Sequence, residues 1–81
     1  MKHKADHILD FRGSITSMSL LKLVRTFREM KPNEVLEILG SNIDARSDLF
    51  KVLPDDSYEL IFLDVVEEGG YFYRIQLKKK S

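Results

Sequence analysis

The chain has 81 residues, which is room for one domain with one core, and we expect residues 1–81 to form that domain. Thirteen basic and thirteen acidic side chains give a formal net charge of zero, which argues against a dedicated nucleic-acid coat or a membrane-surface peptide. The absence of cysteine excludes disulfides, thiolate metal sites and thiol-based reactions. The first residues are polar and no apolar run is long enough to cross a bilayer, so we expect a cytoplasmic protein without membrane contact.

The first half of the chain predicts one strand and one helix. His7–Phe11 is a short extended segment that ends at Gly13. Ser14–Ser19 is rich in hydroxyl residues, which predicts a loop leading to a helix cap. Apolar residues then recur three and four positions apart over Leu20–Met30, as in an amphipathic helix, and Pro32 ends that helix.

The second half predicts three strands and a short helix. Glu34–Leu39 is a strand, and the spacing of Ser41 and Asp44 predicts a helix over about Ile43–Val52. After a turn, the mostly apolar run Tyr58–Val66 predicts a strand that is covered on both faces or lies at the sheet centre. Alternating residues over Tyr71–Leu77 predict a half-buried strand.

These elements follow the order β-α-β-α-β-β. The two β-α units favour right-handed crossovers, which bring both helices to one face of the sheet, and the last two strands form an antiparallel hairpin. We therefore expect an α+β fold, a two-layer α/β sandwich in which a four-stranded mixed sheet carries two helices on one face.

Few side chains are suited to catalysis. His3 and His7 are the only imidazoles, and neither is predicted to lie near a serine nucleophile or a third metal ligand, so we predict no catalytic residue, no metal site and no cofactor. The paired acids at 55–56 and 67–68 fall in predicted turns, where carboxylates are usually solvated. Lys78–Lys80 is interpreted as a solvated terminal segment, with phosphate contact as the alternative.

The start of the first helix is the most suggestive place for a ligand. Unsatisfied N–H groups and the helix dipole attract anions there, and Arg12 and Lys22 flank the position. The simpler interpretation is that Ser17 or Ser19 caps the helix. The two interpretations are compatible, because a capped helix still presents spare donors.

From Asp6 to Lys78 the chain resembles the TusA/SirA family of small sulfur-carrier proteins. The family's Leu-Asp-x-x-Gly strand end is matched by residues 9–13, and its Pro-Gly-Glu turn by Pro32, Asn33 and Glu34. Asp48 and Leu49 match an Asp-Ile pair of the second helix. A gapless alignment places the family's Cys-Pro-x-Pro motif on residues 16–19. The family fold implied by this resemblance is also a β-α-β-α-β-β sandwich.

The resemblance implies a carrier that has lost its reaction. The family cysteine accepts sulfur as a persulfide from a cysteine desulfurase or a related donor and passes it on, but Thr16 occupies that position here. Residues carried over as scaffold are Asp10, Gly13, Pro32, Glu34 and Asp48. Residues of a possible docking surface are Arg12, Ser14, Ser17, Ser19, Lys22, Arg25 and Arg28.

Three functions follow from these observations. The first is a non-catalytic interaction or regulatory module that binds proteins of a sulfur-relay or redox system. The second is RNA binding, because the element order also resembles the C-terminal domain of translation initiation factor three, with Phe72 or Arg74 on an open sheet face and basic residues for phosphates. The third is binding of a small anion at the start of the first helix. An enzyme that uses Ser14, Thr16 or Ser17 has the least support, since no base is nearby.

Overall fold

The computed structural model describes residues 4–12, 17–41, 46–67 and 71–80, and within them the predicted element order is confirmed. The four strands form one mixed sheet, so the expected α+β class is also confirmed. A 3-10 helix at Asp55–Ser57 occupies the predicted turn before the third strand. The elements are β1 (His7–Phe11), α1 (Ser17–Glu29), β2 (Val35–Gly40), α2 (Arg46–Lys51), β3 (Tyr58–Val66) and β4 (Phe72–Lys79).

The strands lie in the order β1-β2-β4-β3, with β1 and β2 parallel and the other pairs antiparallel. Alternate residues of β1, β2 and β4 face the two helices, because successive side chains of a strand point to opposite faces. The helices add their own apolar positions to the same core, so both cover one face of the sheet. The core contains Leu9, Phe11, Leu23, Phe27, Met30, Leu36, Ile38, Leu49, Leu53, Tyr73, Ile75 and Leu77.

The prediction for β3 is wrong in its position. We expected Tyr58–Val66 to be covered on both faces or central, but β3 is an edge strand and β4 lies inside the sheet. Leu60 and Val65 are each 48% exposed, whereas Tyr73, Ile75 and Leu77 of β4 are fully buried. An apolar run indicates that a strand is hydrophobic, but it does not indicate the position of that strand in the sheet. That position depends on the connections between the strands.

The helix α1 begins earlier than predicted. Ser17 and Ser19 were assigned to a capping loop, but both lie inside the helix, which starts at Ser17. The N–H groups of the first helical turn have no acceptor inside the helix, so the turn that contains these serines makes no intrahelical bond through them. Leu20 of the same turn packs against the core. Neither serine therefore occupies the position before the helix. The predicted loop residues 13–16 lie outside the described part of the chain.

The helix α2 was expected over Ile43–Val52 and is described over Arg46–Lys51. Leu49 and Leu53 are buried, and Val52 packs against the core from a partly buried position. Residues 42–45, which include the predicted capping residue Asp44, lie outside the described residues.

The strand β4 continues through Lys79, so the interpretation of Lys78–Lys80 as a solvated terminal segment is wrong for Lys79. Its ammonium group donates to the carbonyl oxygens of Phe27 and Met30 at 2.7 and 2.8 Å, and to that of Arg28 at 3.3 Å. These are carbonyls at the C-terminal end of α1, which lack partners inside the helix.

None of the helices in the described ranges is long and apolar enough to cross a membrane.

Candidate functional site

A groove runs between the outer side of α1 and the free edge of β1. Met18, Leu21, Lys22 and Arg25 are three or four positions apart, so they share one side of the helix, and this side faces away from the core. The groove has a volume of about 590 Å³ and is completed by Asp10 and Phe11 of β1 and by the helix residues Ser19, Thr26 and Glu29. We call these nine residues the α1–β1 groove.

The groove combines exposed apolar side chains with unpaired cations. Met18 is 73% and Leu21 51% exposed, which is high for large apolar residues on a helix that packs well on its other side. Lys22 and Arg25 are exposed and make no ion pair within the described residues. A mixed apolar and basic strip of this kind is suited to a protein partner that carries both apolar and acidic groups.

The structure brings together only part of the predicted docking surface. Ser19, Lys22 and Arg25 line the α1–β1 groove. Arg28 instead lines a separate cavity between α1 and the segment after α2. Ser17 is exposed at the first position of α1, and Ser14, Thr16 and Gly13 lie outside the described residues.

Arg12 is held at the end of β1 by Asp10. The guanidinium donates to both carboxylate oxygens, from Nε at 2.9 Å and from Nη2 at 2.7 Å, and the Arg12 backbone N–H donates to Asp10 Oδ1 at 3.0 Å. These contacts lower the pKa of Asp10 below its ordinary value. Arg12 also lies 5.0 Å from the ring centroid of Phe72, so its charge is directed to the sheet face opposite the helices.

The predicted scaffold residues Pro32 and Glu34 form the turn that joins α1 to β2. The Glu34 backbone N–H donates to the Lys31 carbonyl at 3.1 Å, and Asn33 has a φ of 74°. Proline at the second position and a positive φ at the third are typical of a type II turn. Asparagine tolerates this left-handed conformation better than most residues, which explains how it replaces the glycine of the matched motif.

The Glu34 side chain ties this turn to the start of β1. Its Oε1 atom accepts the Lys31 backbone N–H at 2.8 Å and lies 3.0 Å from His7 Nε2. The N–H of Lys31, and then the His7 ring, lower the pKa of the Glu34 carboxyl group. Another predicted scaffold residue, Asp48, lies within α2 next to the buried Leu49 in sequence.

The described residues of the groove hold no catalytic constellation. Ser19 and Thr26 contribute hydroxyl groups, but no imidazole lines the groove, and His7 is engaged with Glu34. A hydroxyl nucleophile needs an adjacent base. Among the described residues, no group of three or more histidine and carboxylate side chains is arranged to hold a metal ion.

Met18 and Leu21 are not among the site residues predicted from the sequence. They lie outside the buried stripe of α1, at helical spacing with Lys22 and Arg25. That second stripe on the outer side of the helix was visible in the sequence, and its mixture of apolar and basic residues distinguishes it from an ordinary solvated face.

Comparisons with known proteins agree with the resemblance noted in the sequence. The profile of the family described as "Sulfurtransferase TusA" matches residues 7–79. A protein of Archaeoglobus fulgidus named "Putative sulfur carrier protein" is 29% identical over 72 residues, which are 89% of this chain and 94% of that protein. Both matches span almost all of the fold described above.

Proposed function

Because the chain belongs to the TusA family, we propose that it is a non-catalytic member that binds proteins of a sulfur-relay or redox system without carrying sulfur itself. It acts as an interaction or regulatory module. The cytoplasmic location expected from the sequence is part of the same proposal.

The observation that carries this proposal is the lack of any cysteine among the 81 residues. A persulfide forms on a thiolate, and Thr16 stands where the family has its cysteine. A threonine hydroxyl has a far higher pKa than a thiol and supplies no sulfur atom, so it neither accepts nor passes on a sulfane sulfur. What remains is a folded scaffold that binds partners.

The α1–β1 groove supports binding as the retained activity. Lys22 and Arg25 have no partner of their own within the described residues, and Leu21 lies between them and Met18 with half of its surface exposed. Exposed apolar side chains beside unpaired charges favour a protein surface over a small metabolite.

A binding assay with a purified cysteine desulfurase tests this proposal. The immobilised chain is expected to retain the desulfurase, and the double variant Lys22→Glu/Arg25→Glu is expected to weaken retention by about tenfold or more, as charge reversal at an interface does. Arg28→Glu is the matched control, because Arg28 belongs to the same helix but lines a different cavity. No retention by the unaltered chain, or equal loss in both variants, would contradict the proposal.

The two alternatives have less support. On the sheet face opposite the helices, Arg12 is bound to Asp10 and Arg74 lies 3.9 Å from Glu37, so neither cation is available to an RNA phosphate without losing its carboxylate. Small-anion binding would involve the residues before Ser17, of which 13–16 are outside the described chain.

A further inference from the structure

On the side away from β2, the backbone of β1 has no partner strand in the part of the chain that the structure describes. β1 is an edge strand, and β2 is its only neighbour among the described strands. Edge strands expose a row of N–H and C=O groups that pair readily with another chain. Because successive residues of a strand direct these groups to opposite sides, every second residue of β1 directs them away from β2.

The hydrogen bonds at the start of β2 show which residues of β1 these are. The N–H of Lys79 donates to the carbonyl of Glu34, so even-numbered residues of this segment face β4. The backbone of Val35 faces β1. Its carbonyl accepts the Asp6 backbone N–H, and its N–H donates to the Asp6 carboxylate. In the parallel register His7–Leu36, the residues of β1 that bond to β2 are then the odd-numbered ones. Ile8 and Asp10 direct their N–H and C=O groups to the free edge.

The groove has the dimensions of one short strand. Its helix side extends from Met18 to Glu29, which at about 1.5 Å per residue is roughly 16 Å. The five residues of β1 span about the same length at roughly 3.3 Å per residue. Asp10 and Phe11 are the residues of β1 that line the groove. An extended segment of about five residues would therefore lie along α1, meet the edge of β1 at Asp10 and continue along that edge toward Ile8.

The side chains on the helix wall select the chemistry of that segment. Met18 and Leu21 offer apolar contact in the groove, while Lys22 and Arg25 are cations without a partner within the described residues. Glu29 stands at the far end, so acidic groups are favoured near Lys22 and Arg25 and disfavoured beyond them.

We infer that the α1–β1 groove takes an extended acidic segment of a partner protein, which adds to the sheet as a fifth strand beside β1. This inference deepens the proposed docking function and rests on it. Main-chain hydrogen bonds to Ile8 and Asp10 supply affinity, and the two cations supply selectivity, as in other cases of strand addition.

Hydrogen exchange on the isotopically labelled full chain tests the inference. The probe is the peptide acetyl-Thr-Glu-Thr-Val-Thr-Glu-Thr-amide, with alternating threonines on the face away from α1. At saturation we expect the amides of Ile8 and Asp10 to exchange about tenfold more slowly or better, because strand pairing removes them from water. The amide of Leu9, which already faces β2, serves as the internal control.

Two matched comparisons separate strand addition from simple charge attraction. A peptide N-methylated at alternate residues keeps every charge but loses the backbone donors on one edge, and it is expected to bind at least about tenfold more weakly. The double variant Lys22→Glu/Arg25→Glu is expected to weaken the unmodified peptide by a similar factor, while Arg28→Glu leaves its affinity unchanged within about twofold.

The inference is overturned if the peptide fails to bind at millimolar concentration, if it binds without protecting Ile8 and Asp10, or if the N-methylated peptide binds equally well. These outcomes differ from a failure of the proposed function. A desulfurase that is retained through Lys22 and Arg25 while the β1 edge keeps its exchange rates would preserve docking and exclude strand addition.

Discussion

Gly40 is a position at which a single added carbon would disturb the core. It lies opposite Tyr73 in the β2–β4 pair, and the aromatic ring covers the glycine where a side chain would otherwise stand. A Cβ atom at Gly40 would overlap Cζ and the hydroxyl oxygen of Tyr73, whose side chain is fully buried in the core. The ring has no open space to move into without disturbing its neighbours.

We predict that Gly40→Ala lowers the free energy of unfolding by about 1–3 kcal/mol, the usual effect of overpacking a core. Urea denaturation measures the change. In the background Tyr73→Leu, which removes the ring, the same alanine is expected to cost less than about 0.5 kcal/mol, since the two residues are directly coupled. An equal cost of Gly40→Ala in both backgrounds would show that the ring is not the cause.

Glu34 makes the stability depend on pH. The pKa of its carboxyl group is lowered in the folded protein by the Lys31 N–H and by His7, so the charged form is favoured by folding. This contribution is fully present above about pH 4.3, the ordinary pKa of glutamate, and is lost as the pH falls through the lower pKa of the folded state.

We predict that Glu34→Gln reduces the loss of stability between about pH 5 and pH 3, measured by urea denaturation at a series of pH values. Glu59→Gln is the matched control, because Glu59 is an exposed glutamate near the opposite edge of the sheet. If both variants follow the acid dependence of the unaltered protein, the Glu34 contacts do not contribute to it.

Among the secondary-structure elements, α1 depends on a residue from the end of the chain. Its last carbonyls are bound by the Lys79 ammonium group, which also lies 5.1 Å from the centroid of the Phe27 ring. β4 therefore supplies the cap at the C-terminal end of α1. Its backbone also forms hydrogen bonds with the turn at Asn33 and Glu34. A positive charge at a helix C-terminus is favourable in itself.

We predict that Lys79→Met lowers the free energy of unfolding by about 1–3 kcal/mol, because it keeps the aliphatic stem but leaves the helix carbonyls without their charged donor. Lys80→Met removes the same charge from the next, exposed position and is expected to change stability by less than about 0.5 kcal/mol. Thermal or urea denaturation compares the two. Equal effects would indicate that net charge matters and the helix cap does not.

The elements show how far a sequence of this kind predicts its fold. The type and order of the six elements follow from apolar periodicity, from the capping spacing of Ser41 and Asp44 and from Pro32, because these are local features. The edge position of β3 does not, because strand order depends on which segments the crossovers bring side by side. The role of Lys79 was hidden for the same reason, since its partners in α1 are about fifty residues away.

The candidate site was predictable in part. Helical spacing groups Lys22 and Arg25 on one side of α1, but it also places Arg28 three positions after Arg25, so the separation of Arg28 from the groove is visible only in the structure. The contact of Arg12 with Asp10 joins residues two positions apart, but the position of Arg12 over Phe72 depends on β4 lying on the far side of β2, and no sequence pattern contains it. The groove itself exists only because β1 is left at the edge of the sheet.

For the whole molecule, charge is separated although it sums to zero. Residues 1–30 carry six basic and three acidic side chains, and residues 31–81 carry seven and ten. Among the residues that the structure describes, the sheet face opposite the helices carries four acidic residues, Asp10, Glu37, Glu59 and Asp64, against the three cations Arg12, Arg74 and Lys78. Mixed charge of this kind favours the orientation of a protein partner over the attraction of a polyanion.

We predict that the protein shows no measurable RNA binding at physiological salt, in a gel-shift titration with a structured RNA fragment. Any binding at low ionic strength is expected to disappear steeply as salt is raised, which is the behaviour of nonspecific phosphate contacts. Retention of a complex at physiological salt that is lost on Phe72→Ala or Arg74→Ala would support the RNA-binding alternative in place of the docking module.

The most direct test of the central claim follows labelled sulfane sulfur from a cysteine desulfurase to three chains: the unaltered protein, Thr16→Cys, and Thr16→Cys with Lys22→Glu and Arg25→Glu. After separation from the enzyme, we expect no label on the unaltered protein, label on Thr16→Cys, and about tenfold less on the triple variant, whose docking surface is reversed in charge. Label on the unaltered protein would contradict the loss of sulfur transfer. An unlabelled Thr16→Cys chain would contradict the retained docking surface.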